Sequence, residues 1–514
     1  MFSLVLFACT YLPLFGFGSP VASQTASATT NVNSTIFDFF AATTSTSDTC
    51  TDISICRTRY TIIWSSLVTI LACVWTAVHR NVPEPESDGE SRFWRMMGQV
   101  WEAAKIVVVT VLAPEWVLAW AVRQWLNARR VVKELEWARG GGKAEMPTWI
   151  KRKRKDRLQY QKIRVEMTKN KKGDGTQEEN VSTQLAAARR SGEKLEGEQQ
   201  MFNIADVNKQ TGRVDGKWTA RHGFFVIMGG FHFYVAGKPQ HPLSRDDVVL
   251  LIMSGELVPP TDEEIRKWSQ SDVLSKTLAV VQTLWFVVQV IARRIEGLPI
   301  TQLEIMTLAY TVITVAMYVA WWDKPQNVGG PVRVAVKQLP WLEEVTGEEW
   351  HRRISYIITG WLDDGVDLRK ERRVPTFYSG STSGRMTTFL ADIVALCAAM
   401  AFGAVHCAAW HYAFPSDAEK LIWRVSSLAI VALPAATLAS LMLLLVVPSC
   451  FSYPKSILLA KVFGFVWMLV FVVSAPLYIA ARALLLALSF SSLRSLPPEA
   501  YRAVQWTLQI PHFT

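Results

Sequence analysis

Four ionisable residues fall inside or at the edges of long apolar runs: Glu115, Glu304, Asp392 and His406. A carboxylate or imidazole held away from water must be paired or face a polar cavity, so these are the positions where a membrane protein would keep an acid or base. Glu115 follows Pro114 at the centre of the run 106–122, and in a helix lying along a membrane surface it would be solvated. Glu304 and Asp392 lie near the ends of their runs, where solvation is again the simpler expectation. Gln282 and Gln289 lie seven apart and Arg293 follows four later, which places the three on one helix face. Hydrogen bonding to a neighbouring helix is the expected use of that stripe. Were Glu304, Asp392 and Arg293 to meet, they would form a buried charge network.

Other chemistries find less support. His406, Cys407 and His411 combine good ligand types, but positions i and i+5 point apart on a helix, so no metal site is expected. His222, His232 and His241 lack zinc spacing and read as surface or packed residues. No GxxxxGK[ST] loop and no Gly-x-Ser-x-Gly elbow occur, and Gly140-Gly141-Gly142-Lys143 is a flexible basic turn. The pairs Asp246-Asp247 and Asp363-Asp364 are isolated, unlike the carboxylate clusters that hold Mg²⁺ on a diphosphate. No cofactor is expected.

The elements that must position these residues read as membrane helices. Of 514 residues 50% are hydrophobic, and the mean hydropathy of +0.17 is that of a membrane protein. The 21 Trp and 12 Tyr suit the two membrane interfaces. The net charge of +10 is concentrated: Arg123 to Lys172 holds 17 Lys/Arg against 5 Asp/Glu, including Lys151, Arg152, Lys153, Arg154 and Lys155. Few aromatics interleave with that run, so it reads as a solvated cytosolic loop that fixes topology and attracts anionic lipid weakly, and no nucleic acid is expected.

Residues 1–23 form a signal segment, cut after Val21-Ala22-Ser23 or kept as an anchor. Residues 24–59 are a Ser/Thr-rich exoplasmic arm with a glycosylation acceptor at Asn33. For Cys50 and Cys56, a disulfide is one reading and two free thiols the other. The first span is 60–79. A crossing at 105–122 would put the basic stretch outside, so that run is expected to be re-entrant or in-plane. Residues 123–276 form a basic, partly disordered cytosolic region with a small α+β module at 211–276. Within it, 223–235 reads as two short strands or as one apolar segment broken at Gly229-Gly230, and helices are expected to start at Ser244 and Thr261. A helical hairpin (277–322), a charged loop (323–385), a three-span bundle (386–482) and an amphipathic tail (483–514) follow. The fold expected is mainly α, a polytopic helical membrane protein of six spans, with seven as the alternative.

Several blocks are similar to a family of uncharacterised membrane proteins of filamentous fungi and mushrooms: Cys50-Thr51-Asp52, Asn81-Val82-Pro83, Ala113-Pro114-Glu115, Arg123-Gln124-Trp125, Trp218 to Phe225 with Met228 to Phe231, Gln282 to Phe286, Trp321-Trp322-Asp323-Lys324-Pro325 and Leu493 to Pro498. The resemblance spans nearly the whole chain and implies no activity. From the residues alone, the leading expectation is a non-catalytic protein of the endoplasmic reticulum or plasma membrane. It would bind, sense or help move a small hydrophobic ligand within the lipid bilayer, and its module would dock a cytosolic protein partner. The competing expectations are a membrane-embedded enzyme acting on a lipid-like or secondary-metabolite substrate through Glu115, Glu304, Asp392 or His406, and a seven-span receptor.

Overall fold

The structure is a computed structural model that describes residues 56–85, 91–139, 217–253, 256–269, 273–335, 366–380, 385–450 and 455–504. The expected signal segment, Asn33, Cys50, the basic run 151–155 and the polar insertion 169–200 lie outside these residues.

Helix α1 (Arg59–Ala77) starts at Thr58, whose hydroxyl accepts the Thr61 N–H at 3.1 Å. It buries Ile62, Ser66, Thr69, Ile70 and Cys73 and exposes Tyr60, Trp64, Leu71 and Trp75 along one stripe. Helices α2 (Arg92–Leu112) and α3 (Pro114–Arg139) meet at Ala113 with a bend of 111°. Pro114 is costly inside a helix, because it lacks an N–H and clashes with the preceding turn, but it suits the first position of a new one. The expected single element at 105–122 is therefore the junction of two helices.

The small module follows the same logic of caps. Helix α4 (Ala220–Ile227) is opened by Thr219 and ends before Gly229, which has φ +85°. Residues 223–227 are thus helical and, within 223–235, only 231–235 forms a strand, with the break at Gly229-Gly230 between them, so of the two expected strands only the second is present. Strand β1 (Phe231–Val235) turns through Ala236 and Gly237, both at positive φ, into antiparallel β2 (Lys238–Pro242). Helices α5 (Arg245–Met253) and α6 (Asp262–Trp268) start beside Ser244 and Thr261; Thr261 and Glu264 form a capping box. Strand β3 (Val332–Val334) adds to β1 in parallel, giving the order β2-β1-β3. The module has no separate core. A Cβ on Gly223 would lie 2.3 Å from the Ala128 carbonyl oxygen, so α4 presses directly on the α3 backbone, and both contribute to one apolar cluster.

The remaining helices are α7 (Val273–Ile295), α8 (Gln302–Ala320), α9 (Arg385–Cys407), α10 (Asp417–Val446) and α11 (Lys455–Ser491). The last continues past the expected end of the bundle at 482. Among the described residues five helical segments are long and apolar enough to cross a membrane: α1, α8, Thr387–Cys407, α10 and Ser456–Ser495. Helix α7, the first arm of the expected hairpin, is not among them, and it leans on α1 through Gln282 Nε2 to Thr69 Oγ1 (3.3 Å) and Cys73 Sγ to Thr283 Oγ1 (3.1 Å).

The outward faces are apolar and the inward ones carry hydroxyls. Phe465, Leu469, Val472 and Trp75 are more than half exposed. In water each would incur a cost proportional to its apolar area, which a lipid environment removes. Thr69, Thr307, Thr311, Ser427 and Thr437 instead face neighbouring helices and donate to the carbonyl one turn back. At Gly403 a Cβ would sit 2.7 Å from the Val431 side chain, which fixes how closely α9 and α10 approach.

Candidate functional site

Three charged nodes sit along the helices. The first gathers the start of α1, the α7–α8 turn and the C-terminal 3-10 turn Pro498–Tyr501. Arg57 Nη1 donates to Glu304 Oε1 at 2.5 Å, and Arg57 Nε holds the Ala500 carbonyl at 2.8 Å. Glu304 also caps α8, accepting the Thr301 N–H at 2.8 Å. Arg293 donates to the carbonyls of Arg502 (2.7 Å), Pro299 (2.8 Å) and Ala500 (3.3 Å). Glu304 is 4% exposed, so the expected solvated carboxylate is instead buried and paired, because the C-terminal turn covers it. Cys56, beside this node, is disulfide-bonded, with its partner outside the described residues. Among the described residues the free thiols are Cys73, Cys397, Cys407 and Cys450.

The second node lies at the α2–α3 break. Arg482 Nη1 of α11 donates to Glu115 Oε2 at 2.8 Å and meets the Tyr478 hydroxyl at 3.1 Å. The Tyr310 hydroxyl of α8 donates to the Val111 carbonyl in the last turn of α2. The Arg482 guanidinium lies 3.9 Å from the Phe402 ring centroid. His406 stacks on Phe402, donates from Nδ1 to its carbonyl (2.8 Å), and places Nε2 3.2 Å from Met306 Sδ. Glu115 and His406 thus share one neighbourhood, and Glu115 is not solvated. Arg482, Tyr310 and Tyr478 are members that the sequence reading missed; Arg482 is the single charge between Lys461 and Arg494.

The third node joins the end of α1, the middle of α3 and the residues after α8. Lys324 Nζ donates to the carbonyl of His79 (2.5 Å), to Gln124 Oε1 (2.8 Å) and to Asn81 Oδ1 (3.3 Å). It lies 4.8 Å and 4.9 Å from the ring centroids of Trp120 and Trp321. Lys324 is 2% exposed, and no carboxylate among the described residues pairs with it.

The other expected residues are dispersed. Asp392 lies 3.8 Å from Arg123 Nη1, so it does not join Glu304 and Arg293, which belong to the opposite ends of their helices. Gln282 bonds to α1 while Gln289 is half-buried farther along the same face. Among the described residues no group of three or more His, Cys, Asp or Glu is arranged to hold a metal ion.

In the module, His222 Nε2 can only donate to the Pro260 carbonyl (3.1 Å), which leaves Nδ1 to accept the Thr219 N–H (3.2 Å). That neutral tautomer closes the cap of α4, and the Thr219 hydroxyl donates to Asp262 Oδ1 at 2.6 Å. Burial lowers the pKa of His222, and burial together with the neighbouring His241 lowers that of His232 to about 4. A lowered folded-state pKa gives stability that is present above the unfolded value near 6.5 and is lost as pH falls below it. Hydrogen exchange across 217–269 in the full chain, corrected for its intrinsic pH dependence, should therefore accelerate between about pH 6.5 and pH 4. His222→Gln keeps a capping acceptor that does not titrate, and should reduce the acceleration, leaving the part that His232 contributes. Acceleration of unchanged size would remove His222 as a source of the acid sensitivity.

These features define a mainly helical protein with, among the described residues, five helices long and apolar enough to cross a membrane, compatible with a multi-pass membrane protein. The chain belongs to a family of unknown function, DUF8562, whose model matches residues 33–168, 184–346 and 384–513. No curated protein and no solved structure matches it.

Proposed function

We propose that this is a six-span membrane protein with a re-entrant α2–α3 pair, and that it binds or helps move a small hydrophobic molecule at the break between those helices without transforming it. The observation that carries this is the ion pair Glu115–Arg482 at a 111° helix break, lined by Tyr310, Tyr478 and Phe402. Broken helices with charges at their ends are how membrane proteins build sites at mid-depth. An opposed pair there offers either charge to a ligand, while the aromatic rings offer apolar contact. The carboxylates Glu304 and Asp392 are each engaged by an arginine, Arg57 and Arg123, which suits locking rather than proton transfer.

Depth supports the re-entrant reading. Gln124, bonded to the residues after α8, lies nine positions beyond Glu115, about 13 Å along α3 and close to half a bilayer core. Tyr310, bonded to the tip of α2, is near the middle of α8. The chain dips in along α2 and leaves along α3 on the side of Lys324. Helix α7 must also cross, since it leads from the module to the Arg293 node. The end holding disulfide-bonded Cys56 is exoplasmic in this reading, with Cys50 as partner, because disulfides persist in oxidising compartments. A C-terminal tag should then be protected from protease on the lumenal side.

Comparative lipid and metabolite profiles of cells lacking the protein test the function. One hydrophobic compound should change in amount, and Glu115→Gln should reproduce the change with no new product. If Glu115→Gln, Glu304→Gln, Asp392→Asn and His406→Gln all leave profiles unchanged, both the binding site and the enzyme alternative fail. Accumulation of a precursor with loss of its product would favour the enzyme.

A further inference from the structure

We infer that the Lys324 node is a gate beside the Glu115–Arg482 site, held shut by a buried ammonium that ties the ends of α1 and α8 to the middle of α3. What the gate guards rests on the function proposed above. The gate itself rests on geometry alone.

A buried charge that no carboxylate among the described residues pairs depends on the groups that solvate it, so those groups are drawn together. Here they come from three places: the His79 carbonyl and Asn81 after α1, Gln124 and Trp120 of α3, and Trp321 after α8. Three oxygens match the three donors of an ammonium, and two indole faces cover the remaining sides. The same residues strap a loop across this end. Asn81 Nδ2 donates to the Pro375 carbonyl (2.9 Å), Gln124 Nε2 and Trp120 Nε1 to that of Tyr378 (2.8 and 3.0 Å), and Asn127 Nδ2 to that of Ser379 (2.9 Å). Trp321 Nε1 closes the ring on Gln124 Oε1 at 2.9 Å. Trp120 lies five positions beyond Glu115 on α3, about 7.5 Å farther along the helix axis, so the plug sits within two turns of the break.

Removing the charge removes the donor group that draws the ends of α1 and α8 onto α3. Lys324→Met keeps the chain length and apolar body of the side chain while deleting its donors. Val117, fully buried on α3 between the node and the break, serves as reporter when changed to cysteine in a chain whose Cys73, Cys397, Cys407 and Cys450 are replaced by alanine. A membrane-impermeant maleimide is applied to either side of sealed vesicles holding the full chain. With Lys324 intact, Val117→Cys should stay unreactive. With Lys324→Met it should react from the Lys324 side about tenfold faster or more, the change that about 1.4 kcal/mol in opening produces.

A second variant, Gln124→Leu, removes one acceptor from Lys324 and the partner of Trp321, and should act in the same direction if Lys324→Met fails to fold. A control cysteine at buried Leu303, near the opposite end, should remain silent. No added reactivity in either folded variant overturns the gate. Equal reactivity at Leu303→Cys marks general loosening and also overturns it. The labelling needs no ligand, so an unchanged metabolite profile and a failed gate are separate results.

Discussion

Arg482→Met is expected to lower the stability of the folded chain in nanodiscs by about 3–5 kcal/mol, the range found when one partner of a buried ion pair is removed. The side chain is 3% exposed, and besides Glu115 it engages the Tyr478 hydroxyl and covers the Phe402 ring. Deleting it leaves the Glu115 carboxylate without its guanidinium at the helix break, where solvation is poor. Glu115→Gln should cost less, because an amide can still accept from the Arg482 fork. The double variant Glu115→Gln/Arg482→Met should recover much of the loss, since replacing both members of a buried pair by neutral groups is often close to neutral. Thermal melting of the four proteins supplies the cycle. A double variant no better than Arg482→Met alone would mean that the arginine acts through its aromatic contacts and not through Glu115.

That pair also shows how far the sequence could be read. Glu115 stood out because it interrupts an apolar run, and the argument from basic loops already placed its helix outside the set of simple crossings. The partner was not visible, because Arg482 sits just past the run 462–480, where an arginine reads as an interfacial end. Only the continuation of α11 to Ser491 carries it inside. Lys324 was hidden in the same way: Trp321-Trp322-Asp323-Lys324-Pro325 reads as an aromatic interface followed by a charged loop. Its burial depends on Asn81 and Gln124, more than 190 residues away in sequence, as the separations of 243 and 200 residues record.

Local signals fared differently. Thr261 with Glu264 and Ser244 with Asp247 specify helix starts by hydrogen bonds within four residues, so they could be read directly. The segment 223–228 could not, because alternation and helical periodicity are indistinguishable in so short an apolar run, and the cap that decides it uses a histidine in the place usually taken by Glu or Gln. The strap 375–380 lies in the stretch 347–383 that the family model does not match. Asn81, Trp120, Gln124 and Asn127 grip it by backbone carbonyls, which nearly any sequence would supply, so no side-chain motif marks it.

Glu304→Ala is expected to be the other severe substitution, and its effect should reach the C-terminus. Glu304 closes the α8 cap with Thr301 and is the carboxylate between Arg57 and, more distantly, Arg293. Both arginines hold the carbonyl of Ala500, and Arg293 also holds that of Arg502. Removing the carboxylate leaves the part-buried Arg57 and the buried Arg293 hydrogen-bonded only to backbone carbonyls, at a cost of up to about 3–5 kcal/mol, with roughly 1 kcal/mol more from the lost cap. Mutual repulsion then favours release of the turn Pro498–Tyr501. Limited trypsin digestion should therefore cut at Arg494 or Arg502 faster in Glu304→Ala than in the parent, before global unfolding is detected. Glu304→Gln retains an acceptor for the Thr301 N–H and should lie between the two. If the C-terminal turn stays as protected in Glu304→Ala as in the parent, Arg57 and Arg293 are held in place by the carbonyls alone, and the carboxylate serves only as the helix cap.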